Sequence, residues 1–134
     1  MIKPYIMFNR NCAEAFKFYQ EAFDGELLAM QKYGDMPPSP DFPVAEGDKE
    51  LVLHSVLKLT ESGTIMGSDS NRELHNSEKV FISIEISTEE AAIKAWNLLK
   101  ADGTIFMKIA PSFFAKLHGS LMDKYGVSWM FTVN

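Results

Sequence analysis

Phe23-Asp24-Gly25-Glu26-Leu27-Leu28-Ala29-Met30 has an echo at Ala101-Asp102-Gly103-Thr104-Ile105-Phe106-Met107, 78 residues further along a chain of 134. Each Asp-Gly follows apolar residues at helical spacing and precedes a strand-like run. The two halves therefore read as copies of one supersecondary unit, an arrangement that commonly places a binding site between the copies.

The same offset relates the stretches before the echo. Ala15, Phe18, Tyr19 and Ala22 recur at i, i+3, i+4 and i+7, and Ile93, Trp96 and Leu99 or Lys100 fall on the matching face, as amphipathic helices require. Gly25 and Gly103 stand just past the last apolar position, where a residue in the left-handed conformation ends a helix. At the front ends, Asn11 with Glu14 and Ser87 with Glu90 have capping-box spacing, in which a side-chain oxygen and a carboxylate satisfy open backbone N–H groups.

The first module reads as strand Ile2–Phe8, helix Cys12–Phe23, and strands Glu26–Tyr33, Leu51–Leu59 and Thr64–Ser68. The second reads as strand Val80–Ile86, helix Thr88–Ala101, strand Thr104–Ile109, a segment at Leu117–Met122 and a last strand Val127–Val133. Val80, Ile82, Ile84 and Ile86 alternate with Phe81, Ser83 and Glu85, the period-two signature of a strand with one apolar face. The expected fold is α+β, βαβββ twice, in a single domain over 1–134: module 1 about 1–70, a polar connection about 71–78, and module 2 about 79–134. Gly34–Lys49 carries Pro37, Pro38, Pro40 and Pro43 and suits neither a regular strand nor a regular helix. It reads either as a lid or partner-contact element or as a solvated excursion.

Composition narrows the partners. Thirteen basic against eighteen acidic residues give a net charge of −5. With no basic stripe, nucleic acid and anionic membrane are not expected partners. No apolar run approaches the ~20 residues of a membrane span, and Met1-Ile2-Lys3-Pro4 lacks the apolar stretch of a signal peptide, so the expectation is a cytoplasmic protein. Cys12 is the single cysteine. That excludes an internal disulfide and any zinc site built on several cysteines, and Cys12 reads as a structural thiol.

The element order, with the strings PYIMFN from Pro4, FYQEAF from Phe18, LHSVLKL from Leu53, IMGSD from Ile65 and HGSLMDKYGVSWMF from His118, resembles the PhnB-like branch of the vicinal oxygen chelate superfamily (glyoxalase, bleomycin resistance protein and dioxygenase). The resemblance covers nearly the whole chain. It implies paired modules whose sheets curl into a cupped, incomplete mixed-sheet barrel with helices outside and the ligand inside. Members of the branch have carried a ubiquinone-pathway methyltransferase label. This chain lacks the glycine-rich loop after its first strand that a nucleotide-like cofactor needs, and that label is set aside.

The superfamily's metal-ligand positions, carried over by strand pattern, land on Lys3, Met66, Phe81 and Met130. An ammonium, an aryl ring and two thioethers are poor donors for the metals such cups hold, so neither metal nor other cofactor is expected. Strand alternation sends Phe81, Ser83 and Glu85 into the cup, with Tyr5, Met7, Val52, His54, Val56, Met66 and Met130. Leu53, Leu57, Leu59, Trp129 and Phe131 are sent to the core. Phe114, with Lys116 and His118, is placed at the rim or on the surface.

The resulting lining is mostly apolar with a few polar groups, as small-molecule pockets commonly are. The expected function is thus small-molecule binding of the glyoxalase/bleomycin resistance type in a metal-free cup, by a homodimer whose loop at Phe42 is a candidate interface. The alternative is an enzyme: a metal-dependent lyase, isomerase or dioxygenase-like protein, or an acid–base catalyst in which Glu85 orients His54. Ser68-Asp69 reads as a turn in which the Asp caps backbone N–H groups.

Overall fold

Helical spacing and alternation translate into two copies of one arrangement in a computed structural model that describes residues 2–75 and 79–134. The first copy comprises β1 (Tyr5–Phe8), α1 (Cys12–Phe23), β2 (Glu26–Lys32), β3 (Val52–Lys58) and β4 (Thr64–Asp69). The second comprises β5 (Ile82–Glu85), α2 (Glu89–Leu99), β6 (Thr104–Ala110), β7 (Leu117–Met122) and β8 (Ser128–Val133). They belong to two structural units, Met1–Leu74 and His75–Asn134. Of the expected connection, Asn76, Ser77 and Glu78 lie outside the described residues.

Each unit holds one open four-stranded mixed sheet, ordered β1-β4-β3-β2 in the first and β5-β8-β7-β6 in the second, and neither closes into a barrel. In both, the outermost pair (β1 with β4, β5 with β8) is parallel and the others antiparallel. The helix between the first two strands makes this possible, since parallel neighbours need a crossover. It covers one face of its own sheet, α1 on β3 and β4 and α2 on β8.

That covered face is the core of each unit. Cys12, Ala15, Phe16, Tyr19 and Ala22 of α1 are buried with Phe8, Leu57 and Ile65. Ala92, Ala95, Trp96 and Leu99 of α2 are buried, as are Ile84, Leu121, Trp129 and Phe131. Each large side chain removed from water contributes roughly 1.5–3 kcal/mol, and the Trp96 and Phe131 rings add an edge-on contact at 5.4 Å. Ala15, Tyr19, Ala22, Trp96 and Leu99 are buried as their spacing predicts, and the two faces differ from expectation at their other positions. Phe16, not Phe18, packs in α1, and Ile93 stays 38% exposed while the small Ala92 and Ala95 let α2 sit close to its sheet.

Both helix starts differ from the capping boxes expected at Asn11/Glu14 and Ser87/Glu90. The N-cap of α2 is Thr88, whose hydroxyl accepts from the Ala91 N–H at 3.1 Å. Asn11 gives α1 no side-chain cap; the Asp69 carboxylate, from β4, accepts the Cys12 N–H instead, at 2.8 Å. The helix ends are also reassigned: the left-handed residues are Asp24 and Asp102, at φ 53 and 57. The glycines after them serve close approach. A Cβ on Gly25 would lie 2.6 Å from the Lys58 carbonyl oxygen, and one on Gly103 would collide with that of Met122.

The strand expected at Val80–Ile86 is shorter, and Val80 is 76% exposed. Val52, expected beside His54, is instead almost fully buried at 1%, because a register irregularity between Gln31 and Lys32 where β2 meets β3 breaks the alternation there. The proline-rich stretch is framed by short 3₁₀ turns at Tyr33–Asp35 and Glu46–Asp48. Its neck is closed by the Tyr33 N–H on the Leu51 carbonyl at 2.9 Å and the Gly34 N–H on the Lys49 carbonyl at 2.9 Å. Arg10 Nη1 pins its far end through Asp48 at 2.8 Å.

This stretch has no counterpart between β6 and β7, so the internal offset of 78 residues falls to 64 from β3 onward. Register confirms the correspondence: Tyr5 pairs with Met66 as Ser83 pairs with Met130, and Val56 pairs with Met66 as Ser120 pairs with Met130.

Candidate functional site

In the first unit the face away from α1 carries the chemistry. Ser55 is fully buried on the helix side, its hydroxyl donating to the Gly67 carbonyl at 2.9 Å. Its neighbours His54 and Val56 therefore point the other way, joined by Met66 from β4 and Tyr5 and Met7 from β1. Two contacts organise this surface. The Tyr5 hydroxyl lies 3.1 Å from His54 Nδ1, with the two rings stacked at 5.7 Å. The Ser68 hydroxyl donates to the Met7 sulfur at 3.2 Å. Tyr5 and Met7 are 46% and 47% exposed, so phenol, imidazole and thioether groups are presented together on an otherwise aliphatic patch.

The second unit places Phe81, Ser83, Glu85 and Met130. Ser83 stands opposite Met130 in the β5–β8 register, and Glu85 opposite Thr132. The Phe81 ring meets Phe106 edge-on at 5.7 Å, and Glu85 Oε1 accepts from Asn134 Nδ2 at 2.6 Å. Phe114 packs its ring edge-on against His118 at 4.8 Å, and His118 Nδ1 lies 3.2 Å from the Thr132 hydroxyl. The His54–Glu85 pair expected for acid–base work falls in separate units, and each side chain has its hydrogen-bond partner in its own unit.

Two carboxylates are structural. Asp69 is 2% exposed and accepts the backbone N–H groups of Cys12 and Val52, each at 2.8 Å. It ties α1, β3 and β4 together, so the turn expected at Ser68-Asp69 is the end of a strand whose Asp does cap backbone groups. Asp123 is its analogue in the second unit, accepting from the Tyr125 N–H at 2.8 Å, the Val127 N–H at 3.1 Å and Trp129 Nε1 at 2.9 Å. Cys12 is fully buried beside Ser55, at 3.5 Å. Burial pushes its thiol up to about 12, opposed by its contact with the Ser55 hydroxyl, with the Asp69 charge adding to the rise. A thiol held protonated is not a nucleophile.

Sequence reasoning did not single out the groove of about 410 Å³ between Asn9, Arg10 and the segment Ser70–Leu74. The Asn9 amide braces that segment from both sides, accepting the Leu74 N–H at 2.9 Å and donating to the Leu74 carbonyl at 3.3 Å. No local motif marks this contact, which joins positions 65 residues apart.

The residues do not fit a transition metal. Lys3 precedes β1 and Phe81 precedes β5, so the strand neighbours of Met66 and Met130 are Tyr5 and Ser83, a phenol and a hydroxyl in place of imidazoles or carboxylates. Among the described residues, no three His, Cys, Asp or Glu side chains converge to hold an ion.

A family model described as 3-demethylubiquinone-9 3-methyltransferase matches residues 1–132. Protein YjdN of Escherichia coli strain K12 is 30% identical over 139 residues, covering 98% of this chain and 94% of YjdN. Among solved structures, PA1353 of Pseudomonas aeruginosa is 30% identical with a TM-score of 0.86, over 100% of this chain and 97% of that one. The PhnB protein of Bacillus cereus is 29% identical with a TM-score of 0.78, over 99% and 98% of the two chains. The fosfomycin resistance protein FosX of Listeria monocytogenes, at 7% identity and a TM-score of 0.63 over 100% of this chain and 90% of FosX, shares the βαβββ fold of the glyoxalase type.

Proposed function

The chain belongs to the family described as 3-demethylubiquinone-9 3-methyltransferase, PhnB-like in sequence and of vicinal oxygen chelate fold, and from that membership we propose that it binds a small, partly aromatic or amphipathic molecule without a metal. The observation that carries this reading is the Tyr5–His54 pair, one hydrogen-bonded and stacked polar couple among Met7, Val56 and Met66. A few oriented polar groups on an apolar, adaptable surface suit recognition of such a ligand.

Methyl transfer from a nucleotide-like donor draws no support from the β1–α1 turn. Its residues are Asn9, Arg10 and Asn11, without glycine, and the Asp69 carboxylate already occupies the Cys12 N–H where an anionic group would dock. The acid–base alternative is weakened by the separate partners of His54 and Glu85. No helix among the described residues is long and apolar enough to cross a membrane; a cytoplasmic location is part of the proposal and rests on the acidic composition. A homodimer completes the proposal, supported by apolar side chains left exposed on the edge strands: Leu27 and Leu28 of β2, and Ile105 and Met107 of β6.

The test is a fragment screen on isotope-labelled protein read by amide chemical shifts. Binders are expected to perturb Tyr5, Met7, His54 and Met66, to survive chelator, and to weaken by up to about tenfold in His54→Ala, the loss of one polar contact. Binders that map to Phe42 or His75, or that vanish with chelator, would overturn the reading.

A further inference from the structure

The two modules place a histidine at the same position. His118 pairs with Thr132, and His54, one residue from the Ser55–Gly67 pair, stands beside Ser68. The third member of each row differs: Met7 sits opposite Ser68, whereas Glu85 sits opposite Thr132. Duplication has thus left a thioether–hydroxyl–imidazole row in the first module and a carboxylate–hydroxyl–imidazole row in the second.

We propose that the row Glu85–Thr132–His118 of the second unit, with the Phe114 ring, is a binding subsite for a small organic ammonium ligand. Glu85 and His118 lie on the two strands flanking Thr132, so their Cα atoms are about 10 Å apart at two interstrand spacings, room for a small group seated over the hydroxyl. The Glu85 carboxylate is exposed, and among the described residues it has a neutral amide as partner and no ion pair. An ammonium placed there gains a charge-assisted hydrogen bond. The Phe114 ring, 54% exposed and held edge-on to His118, adds an aromatic surface next to the row, of the kind that attracts organic cations. The Ser112 hydroxyl accepts the Phe114 N–H at 3.4 Å and the Ser112 N–H bonds the Ala115 carbonyl at 3.1 Å, which fixes the turn that carries the ring. With Nδ1 of His118 engaged by Thr132, Nε2 is the nitrogen left to meet a polar substituent of the ligand.

The experiment titrates the labelled full chain with benzylammonium, benzyl alcohol and benzoate, three probes of one shape and different charge. Benzylammonium is expected to shift resonances of Glu85, Phe114, His118 and Thr132, and to bind about two- to fivefold more tightly than the alcohol, the worth of one exposed charge contact. Glu85→Gln should erase that preference, and Glu61→Gln, at an exposed carboxylate of the first unit, should leave it unchanged. Equal binding of the three probes, preference for benzoate, absence of benzylammonium binding, or shifts centred on Tyr5 and His54 would each overturn the proposal. Because the charge series is read on the unaltered protein, the outcome does not depend on a variant folding. Failure here leaves the His54 screen standing, and the reverse also holds.

Discussion

The Asp69 carboxylate receives the first backbone N–H of α1, from Cys12, at 2.8 Å, and with its other oxygen receives Val52 at the same distance. One side chain thus does for the helix what a local cap does elsewhere and also anchors the start of β3. Asp69→Ala removes the acceptor from two buried donors, so a loss of about 2–5 kcal/mol is expected from hydrogen bonds to a charged group and the cost of orphaned N–H groups. Urea unfolding measures it. A change within about 0.5 kcal/mol, the ordinary range for surface substitutions, would contradict this role, and Asn11→Ala is expected to stay within that range because Asn11 makes no cap bond.

The buried thiol beside that carboxylate makes stability depend on alkaline pH. Native Cys12 keeps its proton to about 12, while the unfolded chain releases it from 9.0. The contribution is intact below pH 9.0, declines as pH rises through the interval, and is gone above about 12, with a slope approaching 1.4 kcal/mol per pH unit where only the unfolded state has ionised. Denaturation midpoints from pH 8 to 11, compared between the parent and Cys12→Ala, check it. Parallel curves for the two proteins would show that the thiol is not the source of the dependence.

Gly103 and Asp102 are expected to respond in opposite ways to substitution. At Asp102 the backbone is left-handed, so Asp102→Gly relieves strain and should be neutral or stabilising by up to about 1 kcal/mol. At Gly103 the obstacle is the Met122 carbonyl, backbone that side-chain rotation cannot clear. Gly103→Ala should cost at least about 1–3 kcal/mol, as overpacking does. Thermal unfolding of the two variants decides it, and the reverse order would return the left-handed role to the glycine.

What the sequence made legible follows from how local each signal is. The span of α1 could be read whole, because spacing and the Asp-Gly stop lie within one segment. The buried face was missed where alanines carry it: Ala92 and Ala95 give little hydropathy signal, and Ile93 beside them gives a misleading one. The cap from Asp69 was invisible at Asn11, because it reaches Cys12 from a strand residue 57 positions further along the chain. The candidate site was legible as a set of faces, since alternation puts Ser83 and Glu85 on one side of β5 and His54 on one side of β3. Which residues meet was not, because register is settled by pairing between distant strands. Face alone coupled Glu85 to His54; register sets it in a row with Thr132 and His118.

The Tyr5–His54 contact carries a prediction that needs no ligand. A phenol is a strong donor, and a neutral imidazole accepts at the nitrogen that lacks a proton. If Tyr5 donates to Nδ1 across the 3.1 Å contact, neutral His54 is fixed as the tautomer protonated at Nε2. Long-range ¹H–¹⁵N correlation on the neutral ring should show that tautomer in the parent protein. Tyr5→Phe keeps the ring stacked but removes the donor, so a mixture of tautomers is expected, without the loss of stability that Tyr5→Ala would add by stripping the face of its ring. Observation of the Nδ1-protonated form in the parent would reverse the polarity of the bond, making the phenol oxygen the acceptor and leaving Nε2 as the acceptor presented to a ligand.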